Sequence, residues 1–268
     1  MSGRLQGKVV IVTGAGSGIG RGVAHGLVTE GAHVSVADLD TVRGQGTVAA
    51  APGPGHALFV LLDVTDEHSC RAAVAATVGR FGRVDGLVNC AGIFPRATLK
   101  DTTVEFWDHL MAVNLRGPFL MCREVMPHLI RVGGGSIVNI GSAHGDAGSA
   151  NLTAYAVSKG GLLTLTRNVA RSHVRQRVRV NYINPGWVVS EGEIRTRAAE
   201  GISEQQLRGY ADQLPMGRHQ TPEDVARACV YLLSDESTQL TGAHLNLDGG
   251  LTLYPGADRE THSGDDRR

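Results

Sequence analysis

The chain has 268 residues, enough to bury a sizeable core within one α/β domain, and its 26 Lys and Arg balance its 26 Asp and Glu. This balance does not point to nucleic acid or an anionic membrane surface as a partner, and no stretch reaches the ~18 apolar residues that a membrane span requires. The cysteines are widely spaced and form no metal-binding pattern, which predicts free thiols in a reducing compartment; they are Cys70, Cys90, Cys122 and Cys229.

The first apolar run, residues 9–12, is too short for the apolar core of a signal peptide, and we therefore expect a cytoplasmic protein. It belongs to the first of several predicted strands, which are mostly short, apolar and β-branched, as strands covered on both faces are. The predicted strands span residues 8–13, 33–37, 57–62, 84–88, 136–140, 178–183 and 244–247.

Helical patterns alternate with these strands and span residues 18–30, 67–81, 103–130 and 153–171. Pro118 and Pro127 are expected to bend or divide the long helical region. A further helix opens at Thr221, where a hydroxyl precedes Pro222 and two acidic residues.

The alternation predicts a single doubly wound (Rossmann) α/β domain over residues 1–254, with a parallel seven-stranded sheet and helices on both faces. Within it, the polar and charged segment 190–214 is predicted to form a helical lid over a substrate. Residues 255–268 are polar and lack periodicity, which predicts a mobile tail.

A glycine-rich loop, residues 13–20 (TGAGSGIG), lies between the first strand and the first helix. Glycine permits the unusual backbone angles of the turn and lets the backbone approach a pyrophosphate closely. The helix that follows directs its free N–H groups at the phosphates. An ordinary glycine-rich turn is the alternative, which the flanking strand and helix and an acidic residue downstream disfavour.

That acidic residue is Asp38, at the end of the second strand. A carboxylate there can accept hydrogen bonds from the ribose hydroxyls of NAD and repels the 2′-phosphate of NADP. Leu39 follows it, and the glycine loop contains no Arg or Lys to receive that phosphate. The sequence therefore predicts NAD as the cofactor, with the alternative that Asp38 only caps a turn.

Asp63 and Asn89 each end a strand, and the carboxyl ends of parallel strands border the ligand crevice. Asp63 is predicted to bond the adenine amino group. For Asn89 two interpretations remain open: a contact with the cofactor, or a link between neighbouring strands.

Tyr155 and Lys159 are four residues apart in a helical stretch, which places both side chains on one face. A nearby ammonium lowers the pKa of a phenol, so the pair suits proton exchange with an alcohol or carbonyl oxygen. The spacing alone is weak evidence for a catalytic pair, because a Tyr and a Lys four residues apart are common on solvated helices. Ser142, just past the fifth strand, is predicted to border the same crevice and to hold the substrate oxygen near the phenol.

These residues resemble the classical short-chain dehydrogenase/reductase family, and the match covers nearly the whole chain. The loop TGAGSGIG matches the family's TGxxxGxG, and residues 89–92 (NCAG) match its NNAG, with Cys90 replacing the second Asn. Asn114, in VNLRGPF, is similar to the family's catalytic Asn. The segment Asn184-Pro185-Gly186 and the C-terminal stretch ending LNLDGG are similar to further family signatures.

The resemblance implies that Tyr155 is the acid/base, that Lys159 lowers its pKa and bonds the nicotinamide ribose, and that Ser142 positions the substrate oxygen. It also implies that Asn114 helps to hold a proton-relaying water, that the backbone of Val188 contacts the nicotinamide amide, and that the chain forms a homotetramer or dimer. The predicted cofactor contacts are Gly14, Ser17, Gly18, Ile19, Gly20, Asp38, Leu39, Asp63, Val64, Asn89, Ala91, Gly92, Tyr155, Lys159, Pro185, Gly186, Val188 and Ser190.

The substrate pocket is predicted to include Ser142, His144, Tyr155 and Trp187, with a surface-loop role as the alternative for His144. No metal ligands are predicted. A sparse aromatic lining favours small polar substrates such as sugars or polyols. The predicted function is an NAD-dependent oxidoreductase that interconverts a secondary alcohol and a ketone, with no nucleic-acid or membrane partner.

Two other functions remain as alternatives. An NADPH-dependent 3-oxoacyl-type reductase would require a basic residue near Ala15 or Leu39, and neither position is basic. A non-catalytic nucleotide-binding protein would be expected to lack Ser142, Tyr155 or Lys159, and all three are present.

Overall fold

A computed structural model describes residues 3–253, in which seven parallel strands form one sheet in the order β3-β2-β1-β4-β5-β6-β7. The strands are β1 (Val9–Thr13), β2 (His33–Asp38), β3 (His56–Leu61), β4 (Gly86–Asn89), β5 (Gly135–Ile140), β6 (Val178–Pro185) and β7 (His244–Leu247). The predicted parallel seven-stranded sheet is confirmed. Strand order reverses between β1 and β4, and ligands of such sheets bind at the carboxyl ends of the strands beside this switch point.

The helices cover both faces of the sheet, as predicted. They are α1 (Gly18–Thr29), α2 (Thr41–Ala49), α3 (Glu67–Phe81), α4 (Val104–Met111), α5 (Gly117–Arg131), α6 (His144–Ala147), α7 (Thr153–His173), α8 (Glu191–Ala199), α9 (Glu204–Gly209) and α10 (Pro222–Leu233). None of the helices within residues 3–253 combines the length and the hydrophobicity needed to cross a bilayer.

The core consists of two apolar layers, one on each side of the sheet. All five residues of β1 are buried, and its alternate side chains enter opposite layers. Val10 and Val12 pack with residues of α1 and α10, whereas Ile11 packs with residues of α3 and α5. This burial on both faces explains why β1 reads as a nearly continuous apolar run in the sequence.

The long helical region after β4 differs from its prediction. A π-helical turn, Ala112–Arg116, separates α4 from α5, so the change in helix geometry precedes both prolines. Pro118 directly follows the π-helical turn and has no N–H with which to bond that turn, and Pro127 lies inside α5 without ending it. The region is therefore divided immediately before Pro118, as predicted, whereas Pro127 does not divide it.

The segment predicted as a lid is helical, with α8 and α9 joined by a short turn and followed by the 3₁₀ turn Tyr210–Gln213. Ser203 begins α9 with a capping box to Gln206. Helix α2 was not anticipated from the sequence; the side chain of Asp40 caps it by accepting from the N–H of Arg43 at 3.0 Å. The predicted tail, residues 255–268, lies outside the described residues.

Candidate active site

The glycine-rich loop connects β1 to α1 at the switch point of the sheet. Gly14 has φ +65°, and a Cβ on it would lie 2.7 Å from the Cα of Ala91, so no other residue fits this crossing without displacement. Ser17 precedes α1 but its side chain makes no cap, and the first turn carries no acidic residue. The free N–H groups of that turn can therefore receive an anionic group.

Asp38 joins the end of β2 to this loop. One of its carboxylate oxygens accepts the N–H of Gly16 at 2.7 Å, and the other accepts the N–H of Asp40 at 2.9 Å. Arg43, which sequence reasoning missed, lies beside Gly16, and its guanidinium pairs with Asp40 at 3.3 Å. Leu39 is 67% exposed at the same corner.

The ends of β3 and β4 complete this side of the crevice. One oxygen of the Asp63 carboxylate accepts the N–H and hydroxyl of Thr65 at 2.8 and 2.7 Å. The buried amide of Asn89 instead donates to Asn139 at 2.8 Å and ties β4 to β5, as the structural alternative for this residue predicts. Ala91 follows in a turn, and its N–H holds this turn in place by donating a hydrogen bond to the hydroxyl of Thr13 at 3.1 Å.

The residues predicted to be catalytic are brought together at the same edge of the sheet. The Ser142 hydroxyl lies close enough to the phenol of Tyr155 to lower its pKa. The Nζ of Lys159 donates to the carbonyl of Ile140 at 2.8 Å and lies 5.7 Å from the centre of the Tyr155 ring. A Cβ on Gly92 would lie 3.6 Å from that Nζ, so the turn after β4 borders the pair.

Asn114 is buried within the π-helical turn. Its amide accepts the N–H of Ile93 at 2.9 Å and donates to the carbonyl of Ile93 at 2.8 Å. Its side chain also lies 3.3 Å from the hydroxyl of Ser158, one residue before Lys159. The amide thus fixes the turn after β4 against α7, and π-helical turns of this kind are frequent at functional sites.

Burial dominates the electrostatics of the catalytic pair. It raises the pKa of Tyr155, while the hydrogen bond from Ser142 lowers that pKa and the carboxylate of Glu193 raises it further. Burial also lowers the pKa of Lys159 to about 8. The pKa of Tyr155 therefore shifts in the direction opposite to the one that the spacing of Tyr155 and Lys159 predicts.

Aromatic side chains and the start of α8 surround the phenol. The rings of Phe94 and His144 lie 6.3 and 6.4 Å from the Tyr155 ring, both edge-on. Trp187 donates its indole N–H to Glu193 at 2.8 Å, and Arg197 donates to the same carboxylate oxygen at 2.8 Å. The Glu193 side chain is only 13% exposed.

The segment after β6 lies over the glycine loop. The N–H of Gly186 donates to the carbonyl of Leu247 at 3.0 Å, and Val188 pairs with Gln220 in an isolated bridge. Ser190 caps α8 by accepting the N–H of Glu193 at 3.2 Å, and a Cβ on Gly18 would lie 3.2 Å from the Cβ of Ser190.

The other predicted cofactor contacts lie along the same edge. Ile19 packs against the core, Gly20 packs closely on the carbonyl of Gly14, buried Val64 follows β3, and buried Pro185 ends β6. Within residues 3–253, no group of three or more His, Cys, Asp or Glu side chains is arranged to hold a metal ion.

Comparison with known proteins shows the family of the chain. A family model described as "Enoyl-(Acyl carrier protein) reductase" matches residues 14–252. The chain is 37% identical to the 3-oxoacyl-[acyl-carrier-protein] reductase FabG of Thermotoga maritima, over 93% of this chain and 100% of the relative. It is 36% identical to the D-threitol dehydrogenase of Mycolicibacterium smegmatis, over 93% of this chain and 95% of the relative. The crystal structure of levodione reductase superposes with a TM-score of 0.87 at 29% identity, over 93% of this chain and 99% of that one.

Proposed function

The chain belongs to the short-chain dehydrogenase/reductase family, and on that premise we propose that it is an NAD(H)-dependent oxidoreductase interconverting a secondary alcohol and a ketone. The observation that carries the proposal is the assembly of Ser142, Tyr155 and Lys159 at the sheet edge, beside a glycine loop to which Asp38 is bonded.

The described residues fit a dinucleotide. The turn at Gly14 leaves no room for a side chain, and the uncapped first turn of α1 suits a pyrophosphate. The Asp38 carboxylate would hold the adenosine ribose, and Asp63 the adenine amino group. Lys159 would bond the nicotinamide ribose, and the backbone at Val188 the nicotinamide amide. When bound, the oxidised cofactor NAD⁺ would accept a hydride in alcohol oxidation, and the reduced cofactor NADH would donate one in ketone reduction.

In our proposal, the hydroxyl of Ser142 holds the substrate oxygen and the phenol of Tyr155 exchanges a proton with it. In ketone reduction, the raised pKa of Tyr155 keeps the phenol protonated and ready to donate to the forming alkoxide. In alcohol oxidation, the phenol must first lose its proton, which the raised pKa opposes, before the phenolate accepts the hydroxyl proton of the substrate. Lys159, with its pKa lowered to about 8, can exchange a proton near neutral pH, and Asn114 lies on the adjoining side.

NAD rather than NADP is supported by the position of the Asp38 carboxylate on the Gly16 N–H, where it would repel a 2′-phosphate. The second candidate, an NADPH-dependent 3-oxoacyl-type reductase, is favoured by the similarity to FabG and by the basic Arg43 beside the loop. Pairing of Arg43 with Asp40 weighs against that candidate, because the guanidinium already has an acidic partner.

For the substrate we propose a small polyhydroxylated compound. Glu193 offers a carboxylate that lies close enough to raise the pKa of Tyr155, and carboxylates accept hydrogen bonds from additional hydroxyls. The similarity to a D-threitol dehydrogenase supports the same class. Growth of kcat/KM with the hydrophobicity of the alcohol, across a polyol, steroid and aryl-carbinol panel, would count against it.

We further propose a cytoplasmic homotetramer. The long helices α5 and α7 expose apolar side chains, among them Phe119 at 44% and Val157 at 46%, which a partner subunit would cover. All four cysteines are free thiols, as a reducing compartment permits. Light scattering on the purified chain gives the oligomeric state directly, and a monomer would contradict the proposal.

The proposed function is tested by incubating the protein with NAD or NADP and the same panel of alcohols, while recording the absorbance of the reduced nicotinamide. We expect reduction of NAD with at least one secondary alcohol and a much lower rate with NADP. A preference for NADPH in the reduction of a 3-oxoacyl thioester would favour the second candidate. Nucleotide binding without turnover on any substrate would favour a non-catalytic role.

A further inference from the structure

Tyr182 lies in the middle of β6 and is completely buried beneath the active site. Its ring packs against Leu162 and Leu163 of α7 and meets the ring of His244 edge-on at 5.2 Å. The sequence predicts this segment only as a strand, so nothing in the pattern separates this phenol from an ordinary core residue. Its hydroxyl, however, is placed between two segments of the catalytic site.

The hydroxyl of Tyr182 bonds both of those segments. It accepts the backbone N–H of Ser142 at 3.0 Å and donates to the backbone carbonyl of Lys159 at 3.3 Å. Burial raises the pKa of Tyr182, so the phenol stays neutral and keeps both its donor and its acceptor. One buried atom thus joins the turn after β5 to the helix that carries Tyr155 and Lys159.

Gly141 is complementary to this ring. A Cβ on Gly141 would lie 1.8 Å from the Cζ of Tyr182 and 2.2 Å from its hydroxyl oxygen. Gly141 does not have positive φ, so the ring and not the backbone angle demands glycine here. The residue immediately before Ser142 is therefore shaped to let the phenol reach the Ser142 N–H.

The side chain of Lys159 is also held to the end of β5, because its Nζ donates to the carbonyl of Ile140 at 2.8 Å. Together with the Tyr182 bonds, this contact fixes the distance between the end of β5 and α7. That distance sets how the hydroxyls of Ser142 and Tyr155 face each other, and a misplacement of ~1 Å in such a site can cost about 100-fold in rate.

We propose that Tyr182 is a positioning residue for the reaction proposed above, on which this inference rests. It acts through the backbones of Ser142 and Lys159 and holds the substrate-orienting hydroxyl in register with the acid/base. Gly141 is the second part of this arrangement, because it leaves the space in which the phenol reaches the backbones of Ser142 and Lys159.

The test is Tyr182→Phe, which keeps the ring and removes the hydroxyl. We expect kcat to fall about tenfold or more while the Kd for NADH stays within about twofold of the wild-type value, because the glycine loop and Asp38, which would hold the pyrophosphate and the adenosine ribose, make none of the lost bonds. Tyr231→Phe, which removes a hydroxyl from a partly exposed tyrosine of α10, is the matched control and should leave kcat unchanged. A wild-type kcat in folded Tyr182→Phe would overturn the inference.

A purely structural role is distinguished by adding Ser142→Ala. If Tyr182 acts through Ser142, the Tyr182→Phe change should lower kcat/KM much less in the Ser142→Ala background than in the wild type. An equal loss of kcat/KM on Tyr182→Phe in both backgrounds would overturn the inference.

Should Tyr182→Phe fail to fold, Gly141→Ala with Tyr182→Ala removes the same hydroxyl while the new methyl group fills part of the vacated space. This variant should show the same loss of kcat with retained NADH binding, and a wild-type kcat would again overturn the inference. A wild-type protein without activity on any alcohol would instead defeat the proposed function.

Discussion

Replacing Asp38 by Ala together with Leu39 by Arg should move the cofactor preference from NADH to NADPH. The carboxylate has one oxygen on the Gly16 N–H at 2.7 Å and the other on the Asp40 N–H at 2.9 Å, which leaves further lone pairs for the ribose hydroxyls. Hydrogen bonds to a charged group contribute ~1.5–3 kcal/mol, so their loss should weaken NADH binding about 10- to 100-fold.

The same change should strengthen NADPH binding. Two like charges ~4 Å apart repel by about 4 kcal/mol near a protein surface, and solvent screening at this partly exposed corner reduces that to roughly 1–2 kcal/mol. The new guanidinium at position 39 adds an attraction. The ratio of the two dissociation constants should therefore change by at least about 100-fold.

The assay is a fluorescence titration of NADH and NADPH into the wild type and the double variant. Asp38→Asn is the matched control, because its amide oxygen can still accept one backbone bond while the charge is lost, and it should give an intermediate ratio. Leu39 is 67% exposed, so Leu39→Arg alone should leave the melting temperature nearly unchanged. An unchanged NADH-to-NADPH ratio in the folded double variant would refute the role of Asp38.

Two further predictions concern stability. Burial lowers the pKa of Lys159 to about 8 from its ordinary 10.5, so between those values the unfolded chain binds more protons, and the free energy of unfolding should rise with pH across that window. The rise should be at most about 3 kcal/mol, and it is isolated by subtracting the pH profile of Lys159→Met from that of the wild type. Parallel pH profiles of the two proteins would contradict the prediction. Gly46 lies inside α2 with open space around its Cβ position, so Gly46→Ala should raise the free energy of denaturant unfolding by about 0.5–1 kcal/mol. Gly14→Ala is its control and should lower that free energy, because its Cβ would meet the Cα of Ala91 at 2.7 Å.

Much of the fold could be predicted because local signals and tertiary packing agree. Helix α3 has its predicted bounds, since the Asp66 side chain caps its start and Gly82, at φ +78°, ends it. Strand β1 is buried along its whole length and therefore appears as an apolar run. Helix α2 was missed because it is short and rich in glycine and polar residues, and the π-helical turn because no residue pattern marks it.

The catalytic residues could be found from spacing, but their environment could not. The direction of the pKa shift of Tyr155 depends on burial and on Glu193, which is distant in sequence from the phenol. The inward position of Glu193 arises from its bonds to Trp187 and Arg197. Tyr182 was missed for a similar reason, because a phenol within a buried strand gives no sign of which segments its hydroxyl joins.

The central claim is that the Tyr155 phenol exchanges a proton with the substrate oxygen, and Tyr155→Phe tests it most directly. Because a general acid/base contributes about 10²- to 10⁴-fold, we predict that this variant loses nearly all turnover of a secondary alcohol with NAD while its Kd for NADH stays close to that of the wild type. Turnover within about tenfold of the wild type, in a folded variant that binds NADH normally, would contradict the assigned role.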